Sequence, residues 1–282
     1  MLAAYSLNHR MKLTRVIEIV LNALPAGLRN AFWVAYSSDE AASALKRLRE
    51  RGFSPALVID GGAFRGNWTR MARGIFPKAK FLMVEAQPGK AAPLAQVCRD
   101  LGSAVEFATT LLGPKSQDNV PFFVMETGSS VLAELSDAPR ESIALPMLTL
   151  DELLAGKSHR PLLLKLDLQG FEIEALKGAT QTLQLAEVVM METSLLPYNQ
   201  NAPLFDRVVA FMKERDFLLF DLVNLNRWRG STLFQLDAIF VKSSSPLRNV
   251  EFRHSPAAGN AQPNAAGEAA PTAPAPVKSN QR

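Results

Sequence analysis

Four acidic residues each sit at the end of an apolar run: Asp60 after LVI, Glu85 after FLMV, Asp167 after LLLKL and Glu192 after VVMM. Such runs read as buried strands. In an open parallel sheet, ligands bind where the carboxyl ends of the strands emerge. The four carboxylates therefore belong at one edge of one sheet. There they could accept hydrogen bonds from hydroxyl groups or take a proton as general bases. The glycines Gly61, Gly62 and Gly66 follow Asp60 directly, as in a strand that turns sharply into a helix. The helix presents its first N–H groups and positive dipole end to that turn, a seat for a nucleotide-like ligand.

Glu85 comes 19 residues after Gly66. An acid at that place can accept hydrogen bonds from both hydroxyls of an adenosine ribose, and its charge excludes a 2′-phosphate. This much fits NAD as well as S-adenosyl-L-methionine. Two details favour the methyl donor. A carboxylate at Asp60 suits a ligand bearing an ammonium and a sulfonium better than a pyrophosphate. The strands also end in a hairpin and do not repeat a second mononucleotide half.

Lys165 and Asp167 are two apart on a strand and so share a face. Among leucines, either would be costly unpaired. One reading places Asp167 beside the transferred methyl with Lys165 in support. The other is a buried ion pair, with Asp167 capping a helix that begins near Gly170. Glu172 in that helix's first turn is favoured by the dipole alone. Asp167, Glu172 and Glu192 could together hold magnesium, but no metal is expected. His159 precedes the strand ending in Asp167, at the opposite edge; His9 and His254 fall in terminal segments.

The elements that must position these groups alternate along the chain. A helix spans 38–51. Strands are expected at ALVID, AKFLMVEA, AVEFAT, PLLLKLDL and AEVVMMET, with intervening helices including one imperfect helix containing Pro93 and one over FEIEALKGATQTL. Residues 111–150 are less regular, with strand-like PFFVME and PMLTL around TGSSV. FLLFDLV and LFQLDAIFVK close the fold as two strands joined by a long loop from about 224 to 235; its NRWRG either lines an acceptor site, with Trp228 between two arginines suited to stacking on a sugar or contacting an anionic carrier, or is an ordinary exposed hairpin loop. Strands alternating with amphipathic helices imply a mostly parallel α/β sheet covered on both faces.

The chain has 282 residues, 48% of them hydrophobic and 21% charged, a globular composition. Its single cysteine, Cys98, excludes an internal disulfide, and a reducing, cytoplasmic location is the expectation. The net charge of +4 is concentrated at the ends. Residues 1–55 carry a net +4 and 242–282 a net +3, leaving the middle at −3. No basic stripe interleaved with aromatics appears there, and no nucleic-acid partner is expected. Residues 1–37 form an N-terminal helical segment, with Leu13, Val16, Ile17, Val20, Leu21 and Leu24 on one face. Packing on the domain is the first reading of that face; peripheral contact with a membrane is the second. No transmembrane run occurs. Residues 38–242 form the domain. The Ala/Pro-rich residues 243–282 are too poor in large apolar groups to offset their ordering entropy, so they read as a disordered tail.

Several ordered blocks resemble the FkbM-type S-adenosylmethionine-dependent methyltransferases, over about residues 45–242. RGFSPALVIDGGAFRGNWT resembles that family's opening strand and turn, MVEAQP its acid-bearing second segment, and LTLDELL a further block. LLLKLDLQGFEIEALKGA resembles its most distinctive run, and VVMMET a later strand ending in glutamate. The resemblance implies a Rossmann-like class I methyltransferase sheet with a closing antiparallel hairpin. It also implies S-adenosyl-L-methionine as cofactor, held by Asp60, Gly61, Gly62, Gly66, Glu85 and Ala86. Asp167 is the first candidate for the catalytic base and Glu192 the second. The acceptor would be a small molecule or a glycan hydroxyl. Two departures stand out: Phe64 replaces a frequent Asn, and Gln169 replaces the usual Glu. An NAD-dependent oxidoreductase and an inactive cofactor-binding module are the alternatives.

Overall fold

A computed structural model describes residues 40–135, 141–156, 159–228 and 230–249. The expected N-terminal segment 1–37 and most of the tail lie outside the described residues.

The first described element is a helix over 40–50 (α1). It buries Ala41, Ala44, Leu45 and Leu48, the three-and-four spacing of a helix packed by one stripe. Then follow β1 (Leu57–Gly61), α2 (Asn67–Ile75), β2 (Lys80–Glu85), α3 (Ala91–Leu101), β3 (Val105–Thr109), β4 (Leu111–Leu112), β5 (Gln117–Val124), β6 (Glu141–Leu148), α4 (Leu150–Leu153) and β7 (Leu162–Leu166). The chain continues through α5 (Glu172–Lys177), α6 (Thr180–Leu185), β8 (Ala186–Ser194), α7 (Phe205–Lys213), β9 (Phe217–Trp228) and β10 (Thr232–Lys242).

Seven strands form one sheet in the order β3-β2-β1-β7-β8-β10-β9. β1, β2, β3, β7 and β8 are parallel. β10 runs antiparallel to both β8 and β9. The expected mixed α/β sheet with its closing hairpin is therefore present. Side chains alternate across it. Val58, Leu163, Val188 and Ile239 pack on one face with α1. Ile59, Leu164, Val189 and Phe240 pack on the other, with Leu176 of α5 and Leu183 of α6.

Five local expectations are corrected. The irregular region 111–150 holds a second sheet, β4-β6-β5, with its own small core of Leu111, Val120, Phe122, Leu145 and Met147. The long loop before the last strand is short: β9 runs through Trp228 and β10 starts at Thr232. NRW is thus strand rather than loop. Expected helix 171–183 breaks into α5 and α6, because Gly178 lies where a Cβ would meet the Gly113 carbonyl oxygen at 2.2 Å. Asp151 caps the second piece, accepting from the N–H groups of Gln181 at 2.9 Å and Thr182 at 2.8 Å. Pro93, expected to weaken α3, falls in its first turn, where an N–H would have no partner within the helix anyway. The ordered chain also passes residue 242: Leu247 is buried, and its carbonyl accepts from Arg51 at 3.1 Å.

Candidate active site

A cavity of about 730 Å³ opens at the carboxyl edge of the large sheet. Its floor is built by the ends of β1, β2, β7 and β8 and by the middle of β10. The segment Thr127–Val131, which follows β5 of the small sheet, forms part of its wall.

On the β1–β2 side the glycines have specific reasons. Gly62 has φ +72, and a Cβ there would lie 1.9 Å from the Asp167 carbonyl oxygen. Two strand ends therefore meet backbone to backbone, and only glycine fits. Gly66 precedes α2 with φ +75, and Val97 and Met83 close over it. Glu85 is buried at the end of β2. The Phe64 N–H donates to its Oε2 at 2.7 Å and the Gln87 N–H to its Oε1 at 2.9 Å. Burial raises its pKa, while these two hydrogen bonds work against the rise. The N–H that reaches Glu85 comes from Phe64 in a left-handed conformation, φ 50.

Asp60 is fully buried and stands beside Lys165 in register on β7. Its Oδ1 lies 3.0 Å from Lys165 Nζ, and its Oδ2 accepts from Thr69 Oγ1 at 2.7 Å. Lys165 Nζ also reaches the carbonyls of Gly61 and Gly62, at 3.3 and 3.1 Å. Burial disfavours the ammonium, but Asp60 and Asp167 outweigh it and hold its pKa above the usual lysine range. This pair locks β7 to the glycine turn.

Beyond that lock lies a row of acids. Asp167 follows β7, Glu192 is on β8, and Asp237 pairs with Glu192 in register from β10. Asp167 is partly exposed and 3.7 Å from Lys165 Nζ. Gln169 joins the first two: its Nε2 lies 3.0 Å from Asp167 Oδ1 and 2.6 Å from Glu192 Oε2. Gln169 is itself left-handed, φ 54. Its carbonyl is held by Ser130 Oγ at 3.1 Å and Asn199 Nδ2 at 2.5 Å. Burial, then Asp167, Asp237 and Glu172, push Glu192 well above the usual carboxylate range. Burial and Asp167 push Asp237 up to about 6, against a hydrogen bond from Asn224. Burial pushes Glu172 up to about 7, although the Leu168 and Gly170 N–H groups donate to it.

Of the residues expected to hold the cofactor, Gly62, Glu85 and Ala86 line the cavity, as do Asp167 and Glu192. Asp60, Gly61 and Gly66 lie behind the surface. Asp60 faces Lys165 and Thr69, which replaces its expected contact with a ligand cation. Asp167 does not cap α5, whose N-cap is Phe171 with no side-chain cap. Glu172 folds back to serve the Leu168 and Gly170 N–H groups instead. Sequence reasoning missed Asp237 because β10 is antiparallel, so its mid-strand acid is level with the ends of the parallel strands. A lone Asp within LQLDAIFV was the available signal. Among the described residues no group of three His, Cys, Asp or Glu side chains is arranged to hold a metal ion. Among them, too, no helix is long and apolar enough to cross a membrane.

Comparison with known structures gives an FkbM methyltransferase from Methylobacillus flagellatus KT, 16% identical, with TM-score 0.42, covering 66% of this chain. The chain spans only 43% of that protein's length. The 1,6-didemethyltoxoflavin-N1-methyltransferase of Burkholderia thailandensis, solved with S-adenosylhomocysteine, is 14% identical, with TM-score 0.42 over 83% of this chain and 90% of that one. An O-methyltransferase family protein from Burkholderia thailandensis is 12% identical, with TM-score 0.44 over 78% of this chain and 61% of that one. No curated protein matches the sequence. The Methyltransferase FkbM domain, by contrast, matches residues 60–219. That span exceeds half of the 282 residues and runs from Asp60 through the glycine turn, Glu85, Asp167 and Glu192; the chain belongs to the FkbM methyltransferase family.

Proposed function

We propose that the protein is an S-adenosyl-L-methionine-dependent O-methyltransferase acting on a hydroxyl of a small sugar or glycan intermediate. The cavity chemistry fits the cofactor. Each Glu85 oxygen uses one backbone donor and keeps acceptor capacity for a ribose hydroxyl. Trp68, a cavity residue, carries a buried indole N–H without a partner, a donor in want of an acceptor. Gly62 and Ala86 complete that half of the seat. When bound, the cofactor supplies a methyl group on a sulfonium centre.

The remaining work is positioning and proton transfer. The observation that carries the reading is the pair Asp167 and Glu192, held on one Gln169 amide in unlike surroundings. Environments that separate two carboxylates in this way assign their roles. Burial and its acidic neighbours disfavour the charged form of Glu192 and push its pKa well above the usual carboxylate range. Asp167 is the half-exposed member, and it takes the acceptor hydroxyl's proton as the new carbon–oxygen bond forms. The acidic floor supports a small acceptor rather than a nucleic acid, whose phosphates it would repel. The protein, cell extract and labelled cofactor would be incubated together, and methylated products read by mass spectrometry. Asp167→Asn is expected to lower product formation about 100-fold or more, and Glu192→Gln much less. Equal activity of Asp167→Asn and the wild type would remove Asp167 from the role.

A further inference from the structure

Strand order divides the cavity. Glu85 is on β2, and β1, β7, β8 and β10 follow in turn across the sheet. Adjacent strands lie ~4.8 Å apart, so β8 is ~14 Å and β10 ~19 Å from the strand of Glu85. In the cofactor, sulfur is attached only one carbon outside the ribose ring. A ribose at Glu85 therefore leaves the β8–β10 side to the acceptor.

Two independent features occupy that side. The first is the in-register pair Glu192 and Asp237, both in the cavity lining. Gln169 steadies one and Asn224 Nδ2 the other, at 2.5 Å from Asp237 Oδ2. The second is a wall of three rings. Tyr198 and Phe234 meet edge to face at 5.2 Å, and Phe234 and Trp228 at 5.9 Å. Trp228 is 55% exposed. Rings at a cavity mouth stack on the apolar face of a sugar, and they also favour a nearby cation.

Basic groups are scarce there. Among the described lining residues the cations are Arg65 and Lys165. Lys165 is committed to Asp60. Arg65 lies in the glycine turn, with its guanidinium 5.4 Å from the Phe64 ring. Among the described lining residues, none on the acceptor side is a cation. Hydroxyls alone would satisfy the hydrogen bonds of Glu192 and Asp237 but supply no positive charge to stabilise their ionised forms. We propose that the acceptor is a sugar-like polyol bearing an amine, with its ring on the aromatic wall and its ammonium between Glu192 and Asp237. This rests on the O-methyltransferase reading, and the amine is a recognition handle for a hydroxyl methylated nearby.

The groups facing the pair are Asp167, Glu172, Lys165, Glu40, Gln169 and Asn224. Asp167, Glu172 and Glu40 oppose its ionisation. An entering ammonium supplies the missing positive partner and draws protons off both carboxyls. Binding then strengthens as pH rises through about 6, where Asp237 titrates, and it releases protons.

The test uses protein saturated with S-adenosylhomocysteine and three matched probes, glucosamine, glucose and glucuronate, followed by calorimetry or saturation-transfer NMR. Glucosamine is expected to bind about tenfold or more tighter than glucose, a charge-assisted contact's worth, and glucuronate not measurably. Asp237→Asn should shrink the preference to within about threefold, with retained S-adenosylhomocysteine binding as its folding control. Should that variant fail to fold, Glu192→Gln is read the same way. Equal or tighter binding of glucose or glucuronate, binding by none of the three, or an undiminished preference in the folded variant overturns the proposal. Failure of S-adenosylhomocysteine to bind the wild type overturns the underlying reading instead.

Discussion

Lys165 does more than accompany Asp167. Its ammonium sits between the buried Asp60 carboxylate, two glycine carbonyls and Asp167. Removing it strands Asp60 without a countercharge in the core. Lys165→Met is expected to cost about 3–5 kcal/mol of stability, read by denaturant unfolding. The double variant Asp60→Asn/Lys165→Met should cost markedly less, because no buried charge remains. A second consequence concerns pH. The folded-state pKa of Glu172 is raised to about 7, so the folded protein holds a proton that the unfolded chain releases. The stabilisation is complete below the unfolded pKa and is lost as pH rises through about 7. Glu172→Gln should flatten that decline between about pH 4.5 and 7 by on the order of 3 kcal/mol. Stability curves measured across that range would show an unchanged slope if the carboxyl does not titrate there.

At the scale of elements, what was legible followed from periodicity. Runs such as LVID and LLLKL are apolar on both faces, the mark of strands covered by helices on each side, and they appear within a residue or two of their expected limits. The position of each acid relative to a strand end was legible for the same reason. Three things were not. The small sheet β4-β6-β5 has half-exposed strands whose polar residues hide the alternation. The break at Gly178 depends on a contact with Gly113, 65 residues away in sequence. The place of Asp237 depends on strand direction and register, which no local pattern encodes. The glycine turn was seen correctly as a turn, but its closest neighbour is the Asp167 backbone just past β7. Gly62→Ala would drive a Cβ into the Asp167 carbonyl and strain a positive φ. It should cost about 3 kcal/mol or more and displace Asp167 as well. Thermal unfolding within a degree of wild type would show that the turn relaxes freely.

For the molecule as a whole, the proposed function divides the sheet: β1 and β2 would take an adenosine ribose, and β7, β8 and β10, the acidic half, an acceptor. Residues of the small sheet and Thr127–Val131 line the same cavity. Family membership accords with this division, and its residues name the ligand to try first. Calorimetric titration with S-adenosylhomocysteine, run in parallel with NAD, tests the central claim most directly. Saturable one-to-one binding of S-adenosylhomocysteine is expected, weakened about tenfold or more by Glu85→Gln, with no binding of NAD. Saturable NAD binding without any heat from S-adenosylhomocysteine would contradict it.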